Sequence, residues 1–151
     1  MPKAGTTSLP LVYACSGCSS VAQLANAFAV RLDRGGMAEM SCISGVGGGV
    51  AALTRVARSG RPILALDGCP LACVKACLAG AGVEPDQHLV LNRLGATKRQ
   101  HGECSEAEAG AAWQAVTSAL SAIKDASPPS ADKPAALAEA EADKMRQNSL
   151  E

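Results

Sequence analysis

Cysteine is the residue type in this chain that could do chemistry, and it is placed in a pattern. Cys15 and Cys18 stand at C-x-x-C spacing. Cys69 and Cys73 stand at C-x-x-x-C spacing, with Asp67-Gly68 leading into them. Cys42, Cys77 and Cys104 complete a set of seven. Thiolates gathered in this way hold a soft metal such as Zn²⁺, hold an iron–sulfur cluster, or exchange disulfides. Zinc takes sulfur tetrahedrally at about 2.3 Å, so its ligand sulfurs lie within roughly 4 Å of each other. If Cys69 and Cys73 share a helix, they are separated by about 6 Å of rise on one face, within side-chain reach, whereas Cys77 lies about 12 Å along the axis from Cys69. The favoured metal ligands are therefore Cys15, Cys18, Cys69 and Cys73, with Cys42 as a fifth thiol that could replace one of them or line the site. Cys77 reads as a small core residue. Asp67 is expected to accept backbone N–H bonds in its turn or to brace a ligand. Gly68 is expected to let the backbone approach closely or turn with positive φ. Both pairs are expected at helix N-termini, which favour thiolate.

The elements that must position these thiols are legible in the hydrophobic pattern. Residues 9–14 form a short apolar run, read as a strand, and Cys15 follows it. Ser20 with Gln23 makes a capping-box pattern before Val21, Leu24, Ala25, Phe28 and Leu32 at helical spacing, stopped at Gly35-Gly36. A weaker strand is read around residues 38–43 and ends at Cys42. A glycine-rich turn, Gly45 to Gly49, leads into a helix carrying Val50, Leu53 and Val56. Residues 62–66 are a continuous apolar strand, as expected where helices cover both faces of a parallel sheet. Asp67-Gly68-Cys69 is then the turn, with Pro70 in the first helical position and Leu71, Val74 and Leu78 on the helix. Residues 88–91 read as the last strand. Ser105 and Glu108 cap a final helix with Trp113, Val116, Leu120 and Ile123 on one face.

This β-α-β-α-β-α-β-α order predicts an α/β fold: a three-layer α/β/α sandwich with a mostly parallel, four-stranded, Rossmann-like sheet. Ligands in such sheets bind beyond the carboxyl ends of the strands. Cysteine at three successive strand ends therefore predicts one convergent site. Residues 1–8 read as an N-terminal extension, 9–125 as the domain and 126–151 as a flexible tail.

The composition excludes several partners. Of 151 residues 48% are hydrophobic, enough for a core, but only 2% are aromatic, too few for a base-stacking surface. The formal net charge of zero offers no basic field for nucleic acid or an anionic membrane. The residues from Met1 to Thr7 lack the apolar stretch of a secretory leader. A cytoplasmic protein is expected, and there closely spaced cysteines bind metal or catalyse rather than form a disulfide framework.

Cys15-Ser16-Gly17-Cys18, Cys42 before Gly45-Val46-Gly47-Gly48, and Asp67-Gly68-Cys69-Pro70-Leu71-Ala72-Cys73 together resemble the DGC domain family, named for its Asp-Gly-Cys tripeptide and described as zinc-binding. The resemblance covers about residues 9–125. It implies Cys15, Cys18, Cys42, Cys69 and Cys73 as the family cysteines and a zinc ion as the partner. It supplies no reaction, so whether the protein is an enzyme stays open, as do its protein partner and oligomeric state.

Three other readings compete. The first is a thiol-disulfide oxidoreductase using Cys15 and Cys18, against which stand Ala14 in place of an aromatic and a superfluous second pair. The second is an iron–sulfur protein. The third is a nucleotide site at Gly45–Gly49 with Asp67, for which a tight packing turn is the preferred alternative. His101 and Cys104 are weighed as ligands and read as loop residues. His88 reads as a strand residue and nothing more, and Trp113 as core.

Overall fold

The structure is a computed structural model and describes residues 9–126. The expected N-terminal extension, and the expected tail beyond Ala126, lie outside the described residues. The elements run β1 (Leu11–Ala14), α1 (Ser20–Arg34), β2 (Glu39–Met40), α2 (Ile43–Gly47), α3 (Ala51–Ala57), β3 (Ile63–Asp67), α4 (Cys73–Gly80), β4 (Gln87–Val90), a 3-10 turn at Leu91–Arg93, and α5 (Glu106–Ala126). The four strands form one parallel sheet in the order β2-β1-β3-β4.

Every residue of β1 and β3 is buried, because helices cover both faces of the two central strands. Alternation divides their side chains. Val12, Ala14, Leu64 and Leu66 meet Val21, Ala25, Phe28 and Leu32 of α1 and Val116, Leu120 and Ile123 of α5. Leu11, Tyr13, Ile63 and Ala65 meet Val46, Ala57, Val74 and Leu78 of α2, α3 and α4. The expected three-layer α/β/α architecture is thus present. From β1 the chain steps outward to β2, then returns past β1 to β3. A constant crossover handedness therefore puts α1 on one face and α2, α3 and α4 on the other. That reversal makes the gap between the carboxyl ends of β1 and β3 the topological switch point, the place where open α/β sheets bind ligands.

Several local expectations shift. The N-cap of α1 is Ser19, whose Oγ accepts from Ala22 N–H at 3.3 Å, while Gln23 Nε2 donates to Gly17 O at 2.6 Å. Ser20 is buried and serves a different purpose, described below. The glycine-rich segment is one helical turn, α2, rather than a loop. A Cβ at Gly45 would collide with Leu53, and one at Gly47 would stand 2.7 Å from Cys77 Sγ. The glycines therefore allow α2 to pack on α3 and α4, as the tight-turn reading anticipates. Cys77 is half-buried in that α2–α4 contact rather than enclosed in the core. The capping box of α5 is present in both directions: Glu108 N–H donates to Ser105 Oγ at 3.2 Å, and Ser105 N–H to Glu108 Oε2 at 2.7 Å. Trp113 is half-buried at the α1–α5 seam, 5.2 Å from the Phe28 ring, with the Arg31 guanidinium 3.9 Å above it.

Candidate functional site

The Asp67-Gly68-Cys69 tripeptide is built by three separate demands at the end of β3. Asp67, only 1% exposed, points to the α4 side and accepts from Val74 N–H at 2.9 Å, Lys75 N–H at 3.3 Å and His88 Nε2 at 2.8 Å. A buried carboxylate needs such donors, and these are two of the first-turn N–H groups that a helix leaves without partners. The carboxylate therefore caps α4 from a distance. This also explains why α4 starts at Cys73 and not at Pro70. Ala72 adopts left-handed backbone (φ 52°, ψ 47°), which breaks any helix begun earlier and turns the next N–H groups toward Asp67. Cys69 accordingly lies in the turn, and only Cys73 opens the helix. The helical-stripe argument for their proximity does not apply. A tight turn, with Ala72 N–H donating to Cys69 O at 3.1 Å, connects them instead.

Gly68 touches the other side of the switch point. Its missing Cβ would lie 2.6 Å from the carbonyl carbon of Val21 and 2.7 Å from Ala22 N, both backbone atoms of α1. Its N–H donates to Cys15 Sγ at 3.2 Å. Close approach, rather than positive φ, is thus what requires glycine here. The tripeptide joins α4 below, α1 beside it and the thiol of Cys15 in front.

The thiols of Cys15, Cys69, Cys73 and Cys18 follow β1 and β3, and Cys42, Cys77 and Cys104 lie elsewhere. Cys15 is half-buried after β1 and accepts from Gly68 N–H. Burial, the largest influence, pushes its thiol above the ordinary range, against the opposing effect of the Gly68 N–H. For Cys15 the direction is thus opposite to that expected of a sulfur at a helix N-terminus, because burial disfavours the thiolate. Cys69 is half-buried, and Lys98 Nζ stands 3.5 Å from its sulfur. Cys73 is exposed. Cys18, also exposed, donates its thiol to Gln100 Oε1 at 3.6 Å. Cys42 is the N-cap residue of α2 without a side-chain capping bond, and it lies toward Tyr13. Cys104 lies 3.9 Å from Thr97 O on the far side of the 97–100 segment, and His101 is exposed in the same loop with φ 56°.

Three features of this edge are not signalled by spacing: the tie made by Ser20, the strap of residues 97–100, and the His88–Asp67 contact. Ser20 ties residues 97–99 across α1: its Oγ donates to Thr97 O and accepts from Arg99 N–H, both at 2.8 Å, and its own N–H donates to Arg99 O at 3.0 Å. This strap delivers Lys98 to Cys69 and Gln100 to Cys18 over separations of 29 and 82 residues. The strap is fixed at its far end by Arg99, whose guanidinium meets Glu108 at 2.9 and 3.1 Å. His88 is the third. The parallel register pairs Ala65 with His88 and Asp67 with Val90, so His88 lies on the sheet face of Asp67, one alternation earlier.

Sulfur donors at the switch point suit a thiophilic cation. Among the described residues, no three His, Cys, Asp or Glu side chains already stand together as a coordination cluster. Cys18 and Cys73 are exposed, whereas Cys15 and Cys69 are half-buried. Ligation would therefore require side-chain rotation toward Cys15 and Cys69, displacement of the Lys98 ammonium and removal of the Cys15 proton. Among the described residues no helix is long and apolar enough to cross a membrane.

Comparison with known proteins agrees with this architecture of motifs. Residues 11–116 match the DGC domain family. Over 101 residues the chain is 65% identical to the "Anaerobic and virulence modulator AnvM" of Pseudomonas aeruginosa PAO1, an alignment spanning 67% of this chain and 77% of that protein. No solved structure matches. With its Asp-Gly-Cys turn at the switch point of a parallel sheet, the chain belongs to the DGC domain family.

Proposed function

We propose that this protein binds one zinc ion through thiolates at the switch point and acts as a metal- or redox-responsive regulator. The carrying observation is geometric: Cys15 Sγ accepts from Gly68 N–H at 3.2 Å, so the Cys15 sulfur lies against the tight turn that carries Cys69 and Cys73. These three thiols are the common core of the proposed site, with Cys18 or Cys42 supplying a fourth. Zinc favours sulfur and imposes only a tetrahedron, which suits thiols drawn from separate loops. The regulatory half of the reading is supported by a relative named as a modulator. A cytoplasmic setting, which keeps thiols reduced, belongs to the same proposal, as does a partnership with neither nucleic acid nor membrane.

Ligation replaces a proton on Cys15 with a metal, so zinc affinity rises with pH through the range in which that thiol ionises. The test is elemental analysis of the full-length protein purified under reducing conditions, for wild type, Cys69→Ser and Cys42→Ser. Wild type should hold close to one equivalent of zinc and Cys69→Ser much less. Retention by Cys42→Ser assigns the fourth ligand to Cys18. Metal below roughly a tenth of an equivalent in wild type, even after zinc is supplied, refutes the site. Visible absorption with iron in place of zinc identifies a cluster instead.

A further inference from the structure

A groove of about 390 Å³ opens beside the edge strand β4 and the Pro70–Ala72 turn. Its polar lining consists of Lys75 from α4, His88 from β4 and Arg93 from the 3-10 turn, and among the described residues no carboxylate lines it. Pro70, Ala72, Leu89, Val90 and Leu94 supply apolar walls. Lys75 and Arg93 are exposed, and neither makes an ion pair among the described residues. Asp67 does not line the groove; its buried carboxylate is occupied by the Val74, Lys75 and His88 donors. Two basic side chains therefore line a concave space of metabolite dimensions beside β4.

His88 adds a directional element. A carboxylate only accepts, so His88 Nε2 donates to Asp67, and Nδ1 is left as the ring's remaining polar atom. The half-buried ring, braced by a buried carboxylate, holds a fixed orientation. In the neutral ring Nδ1 is an acceptor and suits an O–H on the ligand.

We propose that this groove is an oxyanion site, in which Lys75 and Arg93 hold the carboxylate or phosphate group of a small hydroxylated molecule and the Asp67-braced His88 orients it. The site adjoins the thiols but does not require a metal. Its occupant would lie against the Pro70–Ala72 turn, and hence against the segment that carries Cys69 and Cys73.

The test is a heteronuclear NMR titration of the full-length chain, with chelator present, using inorganic phosphate and, separately, malate. Saturable shifts at Lys75, His88 and Arg93, with dissociation constants of about 0.1–10 mM, are expected for at least one probe. Saturation by phosphate alone assigns a phosphate-bearing ligand, and saturation by malate alone a hydroxycarboxylate. Lys75→Gln with Arg93→Gln removes only exposed side-chain charge and should weaken binding about ten- to a hundredfold while core resonances stay in place. Arg55→Gln, in the separate groove between α3 and α4, should leave the affinity unchanged. The proposal is overturned if neither probe gives saturable shifts at these residues, if the double variant binds like wild type, or if Arg55→Gln abolishes binding.

Discussion

Replacing Gly68 with alanine tests the reading of the Asp-Gly-Cys turn most directly. A Cβ there would sit 2.6–2.7 Å from three backbone atoms of Val21 and Ala22. Neither partner is a flexible side-chain tip that can swing aside. Either α1 moves away from β3, or the turn moves and strains two bonds, Gly68 N–H to Cys15 Sγ at 3.2 Å and Asn92 N–H to Gly68 O at 3.1 Å. Overpacking of this kind costs about 1–3 kcal/mol, so the upper half of that range is expected where the clash is backbone on backbone. Gly110 is the internal control. It lies inside α5 with nothing within 4 Å of its Cβ position, so alanine there should stabilise by about 0.8–1 kcal/mol through helix propensity alone. Trp113, the single tryptophan, lies against Phe28 and Arg31 and reports unfolding in urea by fluorescence. Gly68→Ala should lower the melting temperature by roughly 8–12 °C and Gly110→Ala should raise it by about 4 °C. A loss below about 0.5 kcal/mol for Gly68→Ala, at unchanged m-value, would refute close approach as the reason for glycine.

Asp67→Ala should cost about 3 kcal/mol or more, since it leaves two helix N–H groups and His88 without their acceptor. Amide exchange at Val74 should accelerate beyond the global change, and a normal rate there would count against the cap. In metal-free protein, iodoacetamide should label Cys15 more slowly than Cys18 or Cys42 at pH 8, because burial raises the Cys15 thiol. Equal rates by mass spectrometry would contradict that ordering. The neutral thiol is the form the fold prefers. Its contribution to stability is therefore full below the ordinary thiol range and is lost as pH rises through the folded-state value. Glu108→Gln loosens the strap carrying Lys98 and Gln100. Arg99 and backbone N–H groups hold the Glu108 carboxyl well below the usual carboxylate range. Its stabilisation is present above that range and lost as pH falls, so the gap between variant and wild-type urea midpoints should close in acid.

The sequence by itself determined the α/β class, the parallel sheet and the order of its strands along the chain, though the glycine-rich segment read as a turn forms the short helix α2. Apolar strand runs, glycine stops and the Ser105–Glu108 box are local signals, and the strands fall within a few residues of their predicted places. What spacing could not determine is how the thiols are shared out. Cys69 and Cys73 were expected to share a helix. The left-handed Ala72 and the inward carboxylate of Asp67 make them neighbours through a turn instead, because a buried charge takes the helix N–H groups it needs. The ionisation of Cys15 also follows from tertiary burial, which no local pattern records. His88 read as a strand residue until the register of β3 and β4 set it beside Asp67. Lys98 and Gln100 reach the thiols only because Ser20 binds a segment nearly 80 residues away in the chain. Chemistry-bearing residue types are written in the sequence, whereas their partners are chosen by contacts distant in the chain, and those exist only once the sheet and its helices have closed around them.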